Sequence, residues 1–329
     1  MENERRAPDD EPSRADAPRP HPQRTGADAL VAAEIRRLGP LPFSEVMRIA
    51  LYDPDHGFYA AGGHAGRRGD FITSAEVGPL FGAVIAAYLD ARWHELGSPP
   101  TFLVVEVGAG IATLARTVLA AAPACLGALT YVLVEQSEAL RTRHGDHLAL
   151  SDPAFAFAPL DEDGEPFAAD GADRGPTFVS LAERPAGAFA GVVLANELLD
   201  NLPFDQLALV GGTWREVRVA LDSDDTALVE LLTPAEADDA AWAAAVAPAA
   251  AEGSRVPRQR AAAHWVRDVL GQLERGSLLV LDYADDSASL AMRPPDEWIR
   301  TYREHERGDP PLAALGTQDI TVELSLIHI

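Results

Sequence analysis

The sequence predicts a doubly wound α/β fold, in which helices cover both faces of a parallel sheet, and three observations support this. Short apolar runs of strand length alternate along the chain with amphipathic segments of helical period. The first run, FLVVEVGAG at residues 102–110, ends in two glycines and leads directly into a helical segment. Two later runs end on polar residues, namely Glu135 and the pair Asn196-Glu197.

The residues before the first strand are predicted to form a tail and a cover. Residues 1–26 are polar and rich in proline, so we expect them to be disordered. Residues 27–100 are interpreted as an N-terminal helical cover, whose loop at 51–74 is rich in glycine yet carries four aromatic side chains. Such a loop is more typical of a functional cover than of a plain linker. The cover helices are predicted at 27–38, 45–51 and 80–96.

The core of the fold is predicted from residues 101–203 and 261–322. Its strands are expected at 103–107, 130–134, 177–181, 191–195 and 277–282, with helices at 137–148 and 261–273. Residues 204–260 are interpreted as a β-rich insertion, because their apolar residues alternate and Gly211-Gly212 joins two such runs as a hairpin. An alanine-rich helical stretch follows within it. Residues 323–329 are apolar and are expected to have no partner, so we interpret the end as truncated or aberrant.

Composition excludes several classes of function. The chain has 329 residues and a net charge of −24, which argues against the nucleic-acid backbone as a partner. Its apolar runs are too short for a membrane span, and its N-terminus resembles no targeting segment, so we expect a cytoplasmic protein. The single cysteine, Cys125, excludes a zinc cluster built from cysteines. His144 and His147 have no third ligand nearby, so no metal is expected. An oligomeric state is not predicted.

The glycine-containing turn favours S-adenosylmethionine over a dinucleotide as the ligand. The dinucleotide fingerprint needs glycine or alanine where this chain has Thr113. The alternative is an acid on the strand followed by two spaced glycines, as in methyltransferases that bind S-adenosylmethionine, and Glu106, Gly108 and Gly110 fit it. Glu135 could accept two hydrogen bonds from a ribose diol, or it could only cap the helix that follows.

Several longer motifs together resemble the MidA-type family of class I methyltransferases. They are LYDPDHGFY, GDFITS, EVGAG, VEQSEALR, ANELLDNLP, LDYA and GTQDIT. The likeness runs from about Leu41 to Val322 and implies a Rossmann-like class I fold with S-adenosyl-L-methionine as cofactor. The family includes a mitochondrial complex I assembly factor that dimethylates an arginine. Its fold normally continues with a helix and two final strands, near whose start this chain stops.

The resemblance also implies roles for individual residues. Gly108 and Gly110 would lie along the methionine part of the cofactor, while Glu106 would support the turn or meet the cofactor amine. Glu135 would hold the ribose, and Thr73 would face the cofactor from the cover. The full predicted cofactor set is Thr73, Glu106, Gly108, Gly110, Glu135 and Gln136.

Three residues after the fourth predicted strand, Asn196, Glu197 and Asp200, are the candidate catalytic group. Carboxylates at Glu197 and Asp200 could bind a planar guanidinium and assist the loss of its proton. The alternative is purely local, with Asn196 shaping a turn and Glu197 starting a helix.

The leading hypothesis is therefore a methyltransferase that modifies arginine on a protein substrate. A small-molecule methyltransferase is one alternative, because this fold accepts many acceptors. A cofactor-binding assembly factor with little turnover is another, because Ala112 replaces the third glycine of the turn and the chain stops early.

Overall fold

The computed structural model of the chain describes residues 26–60, 78–157, 176–303 and 306–326. Thr73, most of the predicted tail and most of the 51–74 loop lie outside these ranges. The helices are α1 (Gly26–Leu38), α2 (Phe43–Tyr52), α3 (Pro79–Glu95), α4 (Thr113–Ala120), α5 (Glu138–Arg141), α6 (Pro153–Ala156), α7 (Ala237–Val246), α8 (Arg260–Gln272), α9 (Ser287–Met292) and α10 (Pro295–Trp298).

The strands fall into one parallel sheet and three smaller groups. They are β1 (Leu41–Pro42), β2 (Phe102–Val107), β3 (Leu129–Val134), β4 (Thr177–Leu181), β5 (Phe189–Asn196), β6 (Asp205–Val210), β7 (Thr213–Leu221), β8 (Leu228–Pro234), β9 (Arg255–Arg258), β10 (Leu273–Leu281), β11 (Ala284–Asp285), β12 (Ile299–Arg303), β13 (Glu306–Arg307), β14 (Asp319–Val322) and β15 (Leu324–Ser325).

The central sheet has the order β10-β5-β2-β3-β4, and every pair in it is parallel. Apolar side chains that alternate along the strands fill both faces. On one face Val104 packs with α3 and α4, and on the other its neighbour Val105 packs with Val269 of α8. Helices therefore cover both faces, which confirms the predicted doubly wound fold.

Two glycines allow the middle of this sheet to form. A Cβ on Gly191 of β5 would lie 2.2 Å from the Leu103 carbonyl oxygen, and one on Gly276 of β10 would lie 1.8 Å from the Gly191 oxygen. Gly276 also has a φ of 124°, which disfavours any other residue. Strand β10 runs through this position and begins at Leu273, earlier than the sequence predicts.

The predicted insertion forms an antiparallel sheet around the hairpin of β6 and β7. Gly211 and Gly212 both have positive φ, as a two-residue hairpin turn requires, so the predicted turn is confirmed. Strands β8 and β9 flank the hairpin, and β1 pairs with the end of β7. Phe204 at the start of this sheet lies 5.2 Å from the ring of Phe43 in α2, so the cover helices share a core with the insertion.

Two local predictions were wrong. The helix expected over 137–148 is a single turn, α5, followed by a 3-10 turn at His144–Asp146 that turns the His144 side chain inward. Residues 323–329 were expected to have no partner, but β15 pairs in parallel with β11 and both of its residues are buried. Glu323 beside it binds Arg293 and Arg300. No helix in the described ranges is long and apolar enough to cross a membrane.

Candidate functional site

A cleft of about 1330 Å³ opens where the carboxyl ends of the central strands meet. Two turns form its facing walls: residues 108–112 after β2, here called the glycine loop, and residues 196–201 after β5, here called the acid turn. Tyr52 and Tyr59 from the N-terminal cover line a third side. The predicted site residues that line the cleft are Glu106, Gly108, Gly110, Glu135, Gln136, Asn196 and Glu197.

The glycine loop is built from left-handed residues. Gly108, Gly110 and Ala112 have φ of 72°, 55° and 64°. The N–H groups of Gly108 and Ala109 both donate to the Val134 carbonyl, at 2.9 and 3.1 Å, so the loop folds over the end of β3. Ala112 keeps the left-handed conformation without being glycine, at a cost of about 1 kcal/mol or more. The departure from the family pattern therefore leaves the shape of the turn intact.

Glu135 joins the glycine loop to the following helix. Its Oε2 accepts from the Gly110 N–H at 2.9 Å, and its Oε1 accepts from the Ser137 N–H at 2.8 Å. Burial raises the pKa of this carboxyl, although the two N–H groups oppose the shift. The helix that follows is capped by Ser137, whose Oγ accepts from the Leu140 N–H, so Glu135 contacts the cap residue and does not itself cap the helix. Each carboxylate oxygen has a second lone pair, so both oxygens can also accept from a diol in the cleft.

Glu106 lies beneath the glycine loop and is buried. Its Oε2 accepts from the Tyr131 hydroxyl at 2.7 Å, and burial raises its pKa to about 8. A backbone N–H at Ala115, in the first turn of α4, also stabilises its charged form. Glu106 thus contacts Tyr131 of β3 and the first turn of α4, and both its support of the turn and its contact with a cofactor amine stay predictions.

His144, for which the sequence predicted no role, lies outside the cleft lining and contacts the glycine loop from behind. Its imidazole is fully buried, with Nε2 2.9 Å from the Gly110 carbonyl oxygen and Nδ1 2.9 Å from Ser180 Oγ. Burial lowers its pKa. The H-x-x-H spacing pointed only to a metal ligand, and no local pattern predicted the 3-10 turn that places the ring.

The acid turn is strained at Glu197. This residue has a φ of 49°, and its N–H donates to the Leu281 carbonyl of β10 at 2.8 Å. Left-handed residues other than glycine persist where the surrounding structure holds them, and they cluster at functional sites. Beside it, Asn196 Oδ1 is a buried acceptor with no hydrogen-bond partner among the described residues.

Asp200 lies behind the cleft wall and not in it. Its side chain is 5% exposed, and it is absent from the residues that line the cleft. The N–H groups of Leu199 and Asp200 donate to Asp282 Oδ2 at 2.9 and 3.3 Å. Burial, together with the charges of Asp282, Asp319 and Glu197, holds the Asp200 pKa well above its usual range. Asp200 therefore faces other acids and not an acceptor in the cleft.

Two further acids were not predicted as site residues. Asp282 follows β10, and its pKa rises to about 6, mainly through burial. Asp319, fully buried in β14, accepts from the Tyr59 hydroxyl at 3.0 Å and from Asn201 Nδ2 at 3.1 Å. Both stand in motifs that carried the family resemblance, LDYA and GTQDIT, but only the tertiary fold brings them to Asp200.

The arrangement fits a cationic ligand that is rich in hydrogen-bond donors. Acidic side chains that can accept hydrogen bonds line the cleft at Glu106, Glu135 and Glu197, beside the amide of Asn196. No atom lies within 4 Å of a Cβ built on Gly110, so the glycine loop leaves room for close approach. S-adenosylmethionine offers an ammonium group and a ribose diol to such acceptors. Within the described part of the chain, no group of three or more His, Cys, Asp or Glu could hold a metal ion.

Comparison with known proteins gives the same cofactor. Residues 84–329 match a family model described as "Putative S-adenosyl-L-methionine-dependent methyltransferase". A crystal structure of a COG1565 superfamily protein from Burkholderia thailandensis, bound to S-adenosyl-homocysteine, superposes with a TM-score of 0.76 at 30% identity. The match covers 92% of this chain and 74% of that one.

Curated relatives are named as mitochondrial enzymes. The protein arginine methyltransferase NDUFAF7 homolog of Drosophila melanogaster is 34% identical over 59% of this chain and 45% of its own length. The human NDUFAF7 protein is 28% identical over 90% of this chain and 66% of its own length. The chain thus spans about half to two thirds of these relatives. Their mitochondrial location overturns the cytoplasmic location that the sequence predicted.

Proposed function

This chain belongs to the family of S-adenosyl-L-methionine-dependent methyltransferases, and from that premise we propose that it transfers a methyl group to an arginine side chain of a protein. The observation that carries the arginine part is the acid turn, where a strained Glu197 faces the cleft in front of Asp200 and Asp282. Relatives named as protein arginine methyltransferases support the same acceptor.

The glycine loop and its supports form the cofactor side of the proposal. When bound, S-adenosylmethionine supplies an electrophilic methyl group on a sulfonium sulfur. Gly110 would admit the ligand to the backbone, and Glu135, which holds the Gly110 N–H at 2.9 Å, would accept from the ribose. Glu106, with its pKa raised to about 8, becomes a better partner for an ammonium group once the two charges lie close together. Orientation by these contacts lowers the barrier of an in-line transfer.

The acid turn forms the acceptor side. A guanidinium is planar and cationic, so carboxylate and amide oxygens bind it with directional, charge-assisted hydrogen bonds. Glu197 lines the cleft and supplies such oxygens, and the buried Asn196 Oδ1 lies beside it with no hydrogen-bond partner among the described residues. With the cofactor bound, the guanidinium nitrogen would form a bond to the methyl carbon as the bond between that carbon and the sulfonium sulfur breaks. S-adenosylhomocysteine would leave, and Glu197 would accept the proton that the nitrogen loses. Behind Glu197, the carboxylate of Asp282 strengthens the negative field at that point, while Asp200, whose pKa is held well above its usual range, favours its protonated form.

The net charge of the chain agrees with a basic acceptor. A charge of −24 attracts cationic peptides and speeds their encounter with an acidic cleft. This effect does not select arginine over lysine, so the directional pairing of a planar guanidinium with the carboxylate of Glu197 carries that part of the proposal.

Labelled methyl transfer tests the proposal. The full chain is incubated with a protein lysate and methyl-labelled S-adenosylmethionine, and the digested products are analysed by mass spectrometry. We expect label on arginine side chains. Label on metabolites alone would favour the small-molecule alternative, whereas tight cofactor binding without any labelled product would favour the assembly factor with little turnover.

A further inference from the structure

We infer that His144 is a positioning residue for the cofactor, because it fixes the carbonyl of Gly110 and thereby the shape of the glycine loop. The inference rests on the cofactor-binding half of the proposed function and not on the identity of the acceptor. Gly110 is the residue of the loop where the backbone is open to the cleft, so its orientation bears directly on the ligand.

Both ends of Gly110 are held by side chains. Its N–H donates to Glu135 Oε2 at 2.9 Å, and its carbonyl oxygen lies 2.9 Å from His144 Nε2. Glycine has the widest choice of backbone conformations, so an unheld Gly110 would sample several of them. The two contacts restrict it to the left-handed conformation with a φ of 55°. The loop is therefore ordered on folding, and less conformational entropy is lost when a ligand binds.

The hydrogen bonds define which imidazole nitrogen carries the proton. A carbonyl oxygen only accepts, so Nε2 donates to Gly110, and in the neutral ring Nδ1 accepts from the Ser180 hydroxyl. Ser180 lies on β4, the edge strand next to β3. His144 thus connects the glycine loop to β4, and among the described contacts β4 has no other hydrogen bond to that loop. The imidazole is completely buried, which shields both of its hydrogen bonds from water.

Two substitutions separate the bond to Gly110 from the rest of the ring. In H144Q the amide nitrogen reaches the position of Nε2 and can still donate to the Gly110 carbonyl. In H144N the shorter amide reaches only the position of Nδ1, so it can contact Ser180 but not Gly110. Ser180→Ala is the third variant, because it removes the other partner and leaves the Nε2 contact in place.

The experiment measures binding of S-adenosylhomocysteine by calorimetry and needs no methyl acceptor. Folding of each variant is checked by circular dichroism and thermal unfolding. We expect H144N to weaken binding about tenfold, while H144Q and S180A stay within about threefold of the unsubstituted chain. Equal affinity of H144N and H144Q at equal stability would overturn the inference, whichever value they share.

A second measurement keeps the inference testable if H144N does not fold. Nitrogen-15 spectra of the histidine-labelled chain report the tautomer, and the H144Q variant identifies the signal by its loss. We expect a neutral ring with the proton on Nε2, and a proton on Nδ1 alone would overturn the inference. If the chain binds S-adenosylhomocysteine with this pattern but methylates no arginine, the acceptor assignment fails and the role of His144 stands.

Discussion

The glycine loop and the acid turn face each other across one cleft, and they differ in how their polar atoms are used. In the glycine loop, the N–H groups of Gly108, Ala109 and Gly110 and the carbonyl of Gly110 all bind other parts of the chain. In the acid turn, one side-chain oxygen of Asn196 and one of Asp200 are buried with no hydrogen bond to any described residue.

This difference separates two ways of preparing a site. A loop whose polar groups are already bound keeps its shape without a ligand and is preorganised for it. A turn that buries acids beside one another is electrostatically unfavourable until a cation arrives, because like charges and desolvation both oppose ionisation. The glycine loop is therefore already braced within the chain, whereas in the proposed function the acid turn gains a cationic partner only when an acceptor binds.

The largest expected effect comes from removing the charge that faces the acceptor. Glu197→Gln should lower kcat about a hundredfold or more, because proton transfer to a positioned base contributes at least that much. Binding of S-adenosylhomocysteine should stay within about threefold, since the glycine loop does not depend on Glu197. Steady-state kinetics and calorimetry measure the two quantities.

Glu183→Gln is the matched control for that substitution. Glu183 is an exposed acid that also lines the cleft, so it tests loss of charge without loss of the acid turn. Unchanged turnover in the Glu197 variant would remove Glu197 from the mechanism. An equal loss of turnover in both variants would mean that Glu197 only attracts the cationic acceptor through its charge.

A smaller effect is expected from straining the glycine loop. Ala112 is fully buried at a φ of 64°, so Ala112→Val adds both volume and a β-branched side chain to a left-handed position. We expect the free energy of unfolding to fall by about 3 kcal/mol in urea titrations. Ala112→Gly should change it by less than about 1 kcal/mol, because relief of strain offsets the loss of a buried methyl group. Equal effects of valine and glycine would show that the loop is not held in this conformation.

Glu106, a buried acid beneath the glycine loop, should make the stability of the chain depend on pH. The pKa of Glu106 is raised from 4.5 to about 8, so the folded chain keeps a proton that the unfolded chain releases. Stability without ligand should therefore fall as pH rises through this window, by at most about 1.4 kcal/mol per pH unit. Glu106→Gln removes the titration and keeps an oxygen for the Tyr131 hydroxyl.

The pH series for that variant has a simple readout. The difference in unfolding free energy between Glu106→Gln and the unsubstituted chain should grow in favour of the variant from pH 5 to pH 8. If the difference in unfolding free energy between Glu106→Gln and the unsubstituted chain did not change with pH, the pKa of Glu106 would not be raised by folding.

The smallest effect is expected at the wall behind the acid turn. Tyr59→Phe removes the hydroxyl that donates to Asp319 at 3.0 Å, and the free energy of unfolding should fall by about 1 kcal/mol. Tyr283→Phe, at a half-exposed phenol, should change it by less than about 0.5 kcal/mol. No loss for Tyr59→Phe would show that Asn201 alone is a sufficient partner for Asp319.

The residues around the glycine loop could be predicted from the sequence more completely than those around the acid turn. Gly108, Gly110 and Glu135 were predictable because each follows a buried strand directly, and parallel strands bring such positions to one edge. Glu197 was predictable for the same reason. Asp282 also follows a strand, but its role depends on Asp200 turning away from the cleft, which no local pattern reveals.

His144 and Asp319 could not be predicted from the sequence, and the physical reason is the same for both. His144 enters the site because its helix stops after one turn, and Asp319 enters because β14 packs against the acid turn. Both contacts depend on packing between elements that are distant in the sequence, and no local sequence pattern predicts such packing. The small sheet of β12 to β14 escaped prediction because its strands are short and partly polar.

The sequence separations of the contacts described above have a consequence for how the protein matures. The hydrogen bonds of Gly110 join residues 25 and 34 positions apart, whereas Asn201 and Tyr59 reach Asp319 across 118 and 260 positions. Contacts between residues that are close in the sequence form early, and contacts that close long loops form late, because closing a longer loop costs more entropy. During synthesis the cofactor-facing wall can therefore form while nearly half of the polypeptide is still unmade, and the acid turn is completed only when residues near 319 have emerged and docked.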